Sequence, residues 1–286
     1  MPGIDLHTHS TASDGTFSPA EVVRMAFEAG LEAVALTDHD TAAGLPEAVA
    51  AGRALGIEVV PGCELSVVSE TGFMHIVGLF LPETPKGLTQ ALEYLREKRH
   101  SRNIRIVEKM RAIGLDVNYD EVIEFAQGES VGRPHLAGIL LQKGYVSSIQ
   151  QAFDEYLGQG GKAYLPKDKF TPDVALAALK GEGATVILAH PYSLELEGAA
   201  LEAKLRELQD LGLDGMECHY PEHTPEMTAS YLELTRKLDL LVSGGSDFHG
   251  QAKPEISLGV GRGDLFIPYS VLQAIKDRRR AAGLGA

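Results

Sequence analysis

Six of the ten histidines sit where a folded chain could use them for chemistry. His7, His9, His39, His75, His190 and His249 each fall in or just after a short apolar, β-branched run, with acidic residues interleaved. In Ile4-Asp5-Leu6-His7-Thr8-His9, strand alternation places Asp5, His7 and His9 on one face and Ile4 and Leu6 on the other. Two imidazoles with a carboxylate behind them form a metal-binding pattern, because a ligating histidine needs an acceptor for its second ring nitrogen. Ser13-Asp14-Gly15 follows in a loop, and later runs end in Thr37-Asp38-His39-Asp40, Pro61-Gly62-Cys63-Glu64, Ala189-His190-Pro191 and Ser246-Asp247-Phe248-His249. A lone histidine after a strand is usually a packing residue; six such positions interleaved with carboxylates point to one site. Mixed imidazole and carboxylate ligands suit Mn²⁺, Fe²⁺ or Zn²⁺, whereas an all-oxygen set would suit Mg²⁺ or Ca²⁺. Cys63 and Cys218 are the two cysteines, unpaired in spacing, so thiolate clusters are excluded and a reducing, cytoplasmic location is expected.

The elements that must carry these residues alternate. Candidate strands cover 4–8, 33–37, 58–61, 73–80, 185–189, 215–218 and 240–243, with helical patterns between them. Ser18-Pro19-Ala20-Glu21 combines a capping box with proline in the first turn, and Thr171-Pro172-Asp173 and Thr224-Pro225-Glu226 repeat the start signal. Gly30, Gly183 and Gly212 act as stops. Strands alternating with helices of this length predict βαβ units, a parallel sheet and an active site at the strands' C-terminal ends. The alternation breaks between 97 and 162, where helices are expected at 97–113, 119–126, 135–143 and 148–157. The expected organisation is therefore an α/β domain in two parts, 1–96 and 163–286, around a helical insertion at 97–162; seven strands point toward a barrel more than an open sheet, and periodicity alone does not decide between them.

Bulk properties narrow the function. At 286 residues the chain can bury a sizeable core without disulfides or a structural metal. The start Met-Pro-Gly-Ile-Asp-Leu-His lacks the basic-then-apolar pattern of a secretory leader, and no long apolar run suggests a membrane span. The net charge of −14 disfavours binding to duplex DNA, which rests on Lys and Arg neutralising phosphates. An acidic protein can still bind phosphates where divalent cations reverse the local sign.

Taken in order and spacing, His7-x-His9, Asp14, Thr37-Asp38-His39, Glu64, His75, Ala189-His190-Pro191 and Ser246-Asp247-x-His249 resemble the motifs of the PHP (polymerase and histidinol phosphatase) family. The resemblance implies a distorted seven-stranded β/α barrel, here with a small all-helical insertion, and two or three divalent metal ions, manganese first and iron or zinc next. It implies one metal on His7, His9, Glu64 and Asp247, a second on Glu64, His75 and His190, and a third on Asp14, His39 and His249. Glu64, Asp247 and His249 are then the expected catalytic residues, with Glu64 bridging. Two such metals about 3.5–4 Å apart clamp the attacking and leaving oxygens of a displacement at phosphorus.

For the substrate, the resemblance points to the branch that removes the 3′-phosphate of nucleoside 3′,5′-bisphosphates such as adenosine 3′,5′-bisphosphate, with short single-stranded oligonucleotides attacked from the 5′ end as further substrates. Arg133 and His135 in Gly132-Arg133-Pro134-His135, together with His223, are the expected phosphate contacts; Arg133 offers a bidentate fork. The alternatives are a histidinol-phosphate phosphatase and a non-catalytic metal-binding module. One departure stands out: that branch follows Ala-His-Pro with Gly-Arg, and here Tyr192-Ser193-Leu194 follows instead. Lys98, Arg102, Arg105 and Lys109 recur at helical spacing and read as a solvated basic face, which would steer anionic substrates if it bordered the cleft; His219 reads as packing or as a support behind a ligand, and His100 carries no expected role.

Overall fold

The computed structural model describes residues 3–126, 131–166 and 169–285. Seven strands form one sheet in sequence order: β1 (Ile4–Asp5), β2 (Ala33–Leu36), β3 (Glu58–Val67), β4 (Met74–Leu79), β5 (Thr185–Leu188), β6 (Gly215–His219) and β7 (Leu241–Gly244). The sheet curls towards closure. Leu6 N–H donates to Gly244 O, Asp247 N–H donates to His7 O, and Thr8 bridges Phe248 in parallel, so the chain after β1 pairs with the chain after β7. In sequence, α1 (Pro19–Glu28) and α2 (Leu45–Leu55) follow β1 and β2, α3 (Lys86–Ala112) follows β4, and α4 (Tyr119–Phe125), α5 (Arg133–Gln142), α6 (Ile149–Ala152) and α7 (Pro172–Gly181) precede β5. Helices α8 (Gly198–Asp210), α9 (Pro225–Leu238) and α10 (Tyr269–Ala281) follow β5, β6 and β7.

Local rules account for many of the boundaries. Ser18 accepts from Glu21 N–H while the Glu21 carboxylate accepts from Ser18 N–H, the reciprocal box read from the sequence. Thr224 caps α9 through Met227 N–H, whereas the Thr171 side chain makes no such bond at α7.

The sheet is not all parallel. β4 runs antiparallel to both β3 and β5, because a short hairpin joins β3 to β4 where a crossover helix was expected. The reversal matters for the site: His75 lies at the start of β4, and reversing the strand brings that start to the rim where the other strands end. β3 also continues past residue 61 to Val67, so Glu64 lies inside a strand instead of in the loop after one.

Alternation separates the barrel interior from the helix layer. Val60, Val77, Leu79, Ile187, Ala189 and Leu241 belong to one buried cluster, which Leu272 and Ile275 of α10 also join. His75, Val77 and Leu79 share one face of β4, and Glu64 pairs with Val77 across the ladder. Glu64 and His75 are thus the outer members of the same faces of β3 and β4 whose deeper members, Val60, Val77 and Leu79, are apolar.

Two compact units are distinguishable: residues 1–92 with 170–286, and residues 93–169. The second has its own apolar centre, including Ile106, Met110, Val122, Leu136, Leu140 and Leu157. Arg102 departs from the solvated face expected for α3. It is 5% exposed and donates to Asn103 Oδ1 at 3.1 Å, while Lys109 Nζ donates to the Tyr164 carbonyl.

Candidate metal centre

Most of the residues singled out in the sequence converge on the barrel rim. His7 Nε2 and His9 Nε2 lie 3.1 Å apart, and the Glu64 Oε2 atom is 3.2 Å from the first and 3.3 Å from the second. Asp247 Oδ1 is 3.1 Å from His9 Nε2 and 3.6 Å from His7 Nε2. Glu64 also meets His75 Nδ1 at 2.9 Å and His190 Nε2 at 3.1 Å through Oε1, and His39 Nδ1 at 2.9 Å through Oε2. Asp14 approaches His249 Nε2 at 3.3 Å, His9 Nδ1 at 3.8 Å and His39 Nε2 at 3.9 Å.

These contacts resolve into three overlapping groups whose ligand atoms lie within 4.8 Å of one another: His7, His9, Glu64 and Asp247; His39, Glu64 and His75; and His9, Asp14, His39 and His249. His9, His39 and Glu64 each belong to two groups. His190 touches Glu64 beside the second group, and His39, expected only with Asp14 and His249, also stands next to Glu64.

The donor set fits divalent cations. His9 Nδ1, His39 Nδ1 and Glu64 Oε2 are buried without a hydrogen-bond partner, although His39 and Glu64 approach closely. An unsatisfied buried polar atom costs about 1–3 kcal/mol, and cations held by the overlapping groups would satisfy these atoms.

Supporting bonds aim the rings. Glu217, which the sequence reading did not single out, accepts from His7 Nδ1 at 2.8 Å through Oε1 and from His190 N–H at 2.7 Å through Oε2. Asp5 does not back the imidazoles as alternation suggested; it accepts from the backbone N–H of His7, Ser246 and Gly259 and from the Ser246 hydroxyl, tying the two closing segments together. The Ser193 hydroxyl donates to Phe73 O at 2.9 Å and so must accept from His190 Nδ1–H at 3.0 Å, which leaves Nε2 with a lone pair towards Glu64. His249 Nδ1–H donates to Asp247 O, turning its Nε2 towards Asp14. Asp38 gathers Ser10 and Ser13 and so shapes the loop that carries Asp14. Asp247 and His190 hold positive φ angles of 55° and 25°, conformations that side-chain-bearing residues adopt at a cost of order 1–3 kcal/mol and that cluster at functional sites.

Charge follows proximity. Burial pushes the His9 imidazole down, but Asp247 and Glu64 overcome it and hold it up at about 9. His7 is likewise held well above its ordinary value by Glu217 and Glu64 against burial. Burial drives Glu64 up, yet His39, His7 and His75 keep it well below the usual carboxylate range, and His9 does the same for Asp247. His75 and His249 are lowered by burial and stay neutral near pH 7.

Of the expected phosphate contacts, Arg133 and His135 belong to the second unit and His223 to the barrel unit. Arg133 opens α5 in the second unit, donates to Leu157 O at 3.2 Å and lies over the Tyr164 ring. His135 spends Nδ1 accepting Gly132 N–H. His223 lies in the barrel unit, flanked by Tyr192 and Tyr231; its Nδ1–H donates to Cys218 O, so the neutral ring presents a lone pair at Nε2. Two more side chains escaped the sequence reading: Tyr220 and Lys253 both donate to Asp247 Oδ2, at 2.8 and 2.6 Å. A tyrosine after a strand and a lysine in a loop carry no signal until the fold brings them to the rim.

A curled β/α barrel with a buried His/Asp/Glu cluster able to hold metals at its rim defines a metal-dependent hydrolase. Its residues 5–165 match the model of the PHP domain, and the chain belongs to that family. It is 37% identical to a 5′-3′ exoribonuclease from Haemophilus influenzae, covering 86% of this chain and 89% of the relative. It is 31% identical to a 3′,5′-nucleoside bisphosphate phosphatase from Chromobacterium violaceum, covering 87% and 88%. A solved structure from Bifidobacterium adolescentis, described as a metal-dependent phosphoesterase, superposes with a TM-score of 0.78 at 30% identity over 97% of this chain and 96% of its own. The chain is therefore a PHP-family metal-dependent phosphoesterase. Among the described residues no helix is long and apolar enough to cross a membrane.

Proposed function

We propose that the enzyme removes the 3′-phosphate of nucleoside 3′,5′-bisphosphates and also attacks short single-stranded RNA from its 5′ end. The observation that carries this reading is the sharing of Glu64 among His7, His9, His39, His75 and His190, which gathers ligands for more than one cation around a single point. The similarity to a bisphosphate phosphatase and to an exoribonuclease supports both substrates, since each presents a phosphate ester next to a second phosphate.

In this proposal His7, His9, Glu64 and Asp247 hold one cation, Glu64, His75 and His190 a second, and Asp14, His39 and His249 a third, with manganese preferred. Two or three such cations supply Lewis acidity at phosphorus and bring the pKa of water from 15.7 towards ~7. Glu64 would contribute to both of the first two cation sites, Asp247 would hold its cation with its outer oxygen fixed by Tyr220 and Lys253, and His249 faces Asp14 at the solvent side. Arg133 and His135 are assigned to substrate phosphate by their sequence pattern. His223 joins them only as an imidazolium, because its one neutral N–H is spent on Cys218 O. The net charge of −14 favours short single strands over duplexes.

The test measures metal content as purified and then phosphate release from adenosine 3′,5′-bisphosphate, histidinol phosphate and 5′-phosphorylated oligoribonucleotides. Turnover of the bisphosphate and the oligonucleotide is expected. Turnover of histidinol phosphate alone would replace this reading with the amino-alcohol phosphatase.

A further inference from the structure

We infer that Lys253 is a substrate-phosphate anchor of the barrel's own site, an assignment that rests on the phosphoesterase reading of that site. Among the described residues, Lys253 is the one lysine or arginine within ion-pairing distance of any candidate metal ligand. Its Nζ lies 2.6 Å from Asp247 Oδ2, while Asp247 Oδ1 faces His9 and His7. The ammonium thus stands on the outer side of the carboxylate, away from the histidine cluster.

Exposure separates Lys253 from its neighbours. Its side chain is 39% exposed, whereas those of His7, His9 and Glu64 are fully buried. A cation with one end in the site and the other in solvent is placed to meet an incoming anion. An ammonium carries three N–H donors, and Asp247 takes one. Tyr220 donates to the same Oδ2 at 2.8 Å, so Asp247 keeps a partner on that oxygen when Lys253 turns to a phosphate.

The neighbouring turn supplies no cation of its own. After His190 the chain carries Tyr192 and Ser193, neither of them cationic, and Ser193 is committed to His190 and Phe73. Tyr192 packs against Tyr220 at 5.7 Å between ring centres, which adds an aromatic wall but no charge. The backbone at Lys253 is fixed on both sides, with its N–H on Gly250 O and its carbonyl accepting Ile256 N–H. Lysine binds phosphate as a point charge, without the geometric demand of an arginine fork.

The test compares wild type, Lys253→Met and Lys253→Arg, each loaded with Mn²⁺ and matched for metal content and thermal stability, using inorganic phosphate as the probe. Wild type should bind phosphate competitively with substrate. Lys253→Met should weaken that binding on the order of tenfold to a hundredfold with metal stoichiometry unchanged, and Lys253→Arg should restore most of it. Equal phosphate affinity in wild type and Lys253→Met overturns the anchor. So does loss of metal affinity with phosphate affinity intact once the metal is resupplied, because that result makes Lys253 a support for Asp247. If wild type itself binds no phosphate, the phosphoesterase reading of the site fails first, and the anchor falls with it.

Discussion

His7 and Glu217 are 210 residues apart in sequence, and the His7 Nδ1 atom sits 2.8 Å from Glu217 Oε1 with both side chains essentially excluded from water. The other oxygen of the same carboxylate accepts the backbone N–H of His190 at 2.7 Å. One buried group therefore orients the ring of the candidate ligand His7 after β1 and holds the strained backbone of the candidate ligand His190 after β5, whose φ is 25°.

Replacing Glu217 should therefore damage metal binding without removing a ligand. In Glu217→Gln the amide must present an oxygen to His7 Nδ1–H and another to His190 N–H, and it has one. Either His7 loses its tautomer or His190 loses its anchor. Outer partners of this kind typically contribute 10–100-fold to metal affinity, and a loss in about that range is expected from competition with a chelator. Unchanged metal affinity would show that the pair merely packs.

Gly245 should be nearly as sensitive, for a steric reason. A Cβ there would lie 2.2 Å from His7 Cβ and 2.5 Å from His7 N. Barrel closure presses the β7 exit against His7, as the Asp247 N–H to His7 O bond records. Gly245→Ala should cost about 1–3 kcal/mol in denaturant unfolding, the usual range for overpacking. It should also lower metal affinity, because the backbone that yields is that of a ligand. A variant with wild-type stability and metal content would mean the closing segments have more slack than the structure allows.

Those two residues show where the sequence was legible and where it was not. Strand alternation and helix caps made His7, His9, Glu64, His190 and Asp247 readable as strand-associated donors, because local periodicity fixes which face a residue takes. The reversal of β4 was not readable: a hairpin and a crossover both begin with an apolar run, and no local rule separates them at 73–80. The reversal is nevertheless what carries His75 to the rim. Glu217 hid inside Gly215–His219 as an ordinary polar strand residue, and its meaning arises only from contact with β1 and the turn after β5. Asp5 misled for the converse reason: alternation put it beside His7, but closure gave its oxygens to Ser246 and Gly259. Helical spacing predicts a solvated Arg102 because it says nothing about which side a small unit buries.

Proton release should accompany metal uptake. Stripped of cations by chelation, the protein holds His9 protonated up to about pH 9, since Asp247 and Glu64 outweigh burial there. The raised value means that the stability it contributes is fully present below its unfolded value of 6.5 and is lost as pH rises through about 9. Glu64 and Asp247 shift the other way, so their contribution is present above the ordinary carboxylate range and lost as pH falls through their depressed values. Between pH 7 and 8, cations entering the site must expel protons from His7 and His9, whereas His75 and His249 have none to give. Titration calorimetry in buffers of different ionisation enthalpy should report at least one proton released per molecule loaded. The chelated protein should also lose melting temperature between pH 6.5 and 9 while the loaded protein holds steady. Metal uptake without proton release would contradict the coupling of these imidazoles to Glu64 and Asp247.

Glu64 offers the sharpest test of the shared centre. Its two oxygens meet five imidazoles, from His7, His9, His39, His75 and His190, at 2.9 to 3.3 Å. Removing it takes the shared carboxylate from between those rings and leaves Asp247 as the carboxylate facing both His7 and His9. Glu64→Ala should therefore lose more than one equivalent of metal, not one, and activity should fall below detection even with excess Mn²⁺. Glu64→Gln keeps the shape but not the charge, so it should fold normally and lose metal nearly as completely. That variant separates loss of charge from loss of packing. A metal-replete, active Glu64→Ala enzyme would mean that the cations are held by independent ligand sets and that Glu64 is not shared between them.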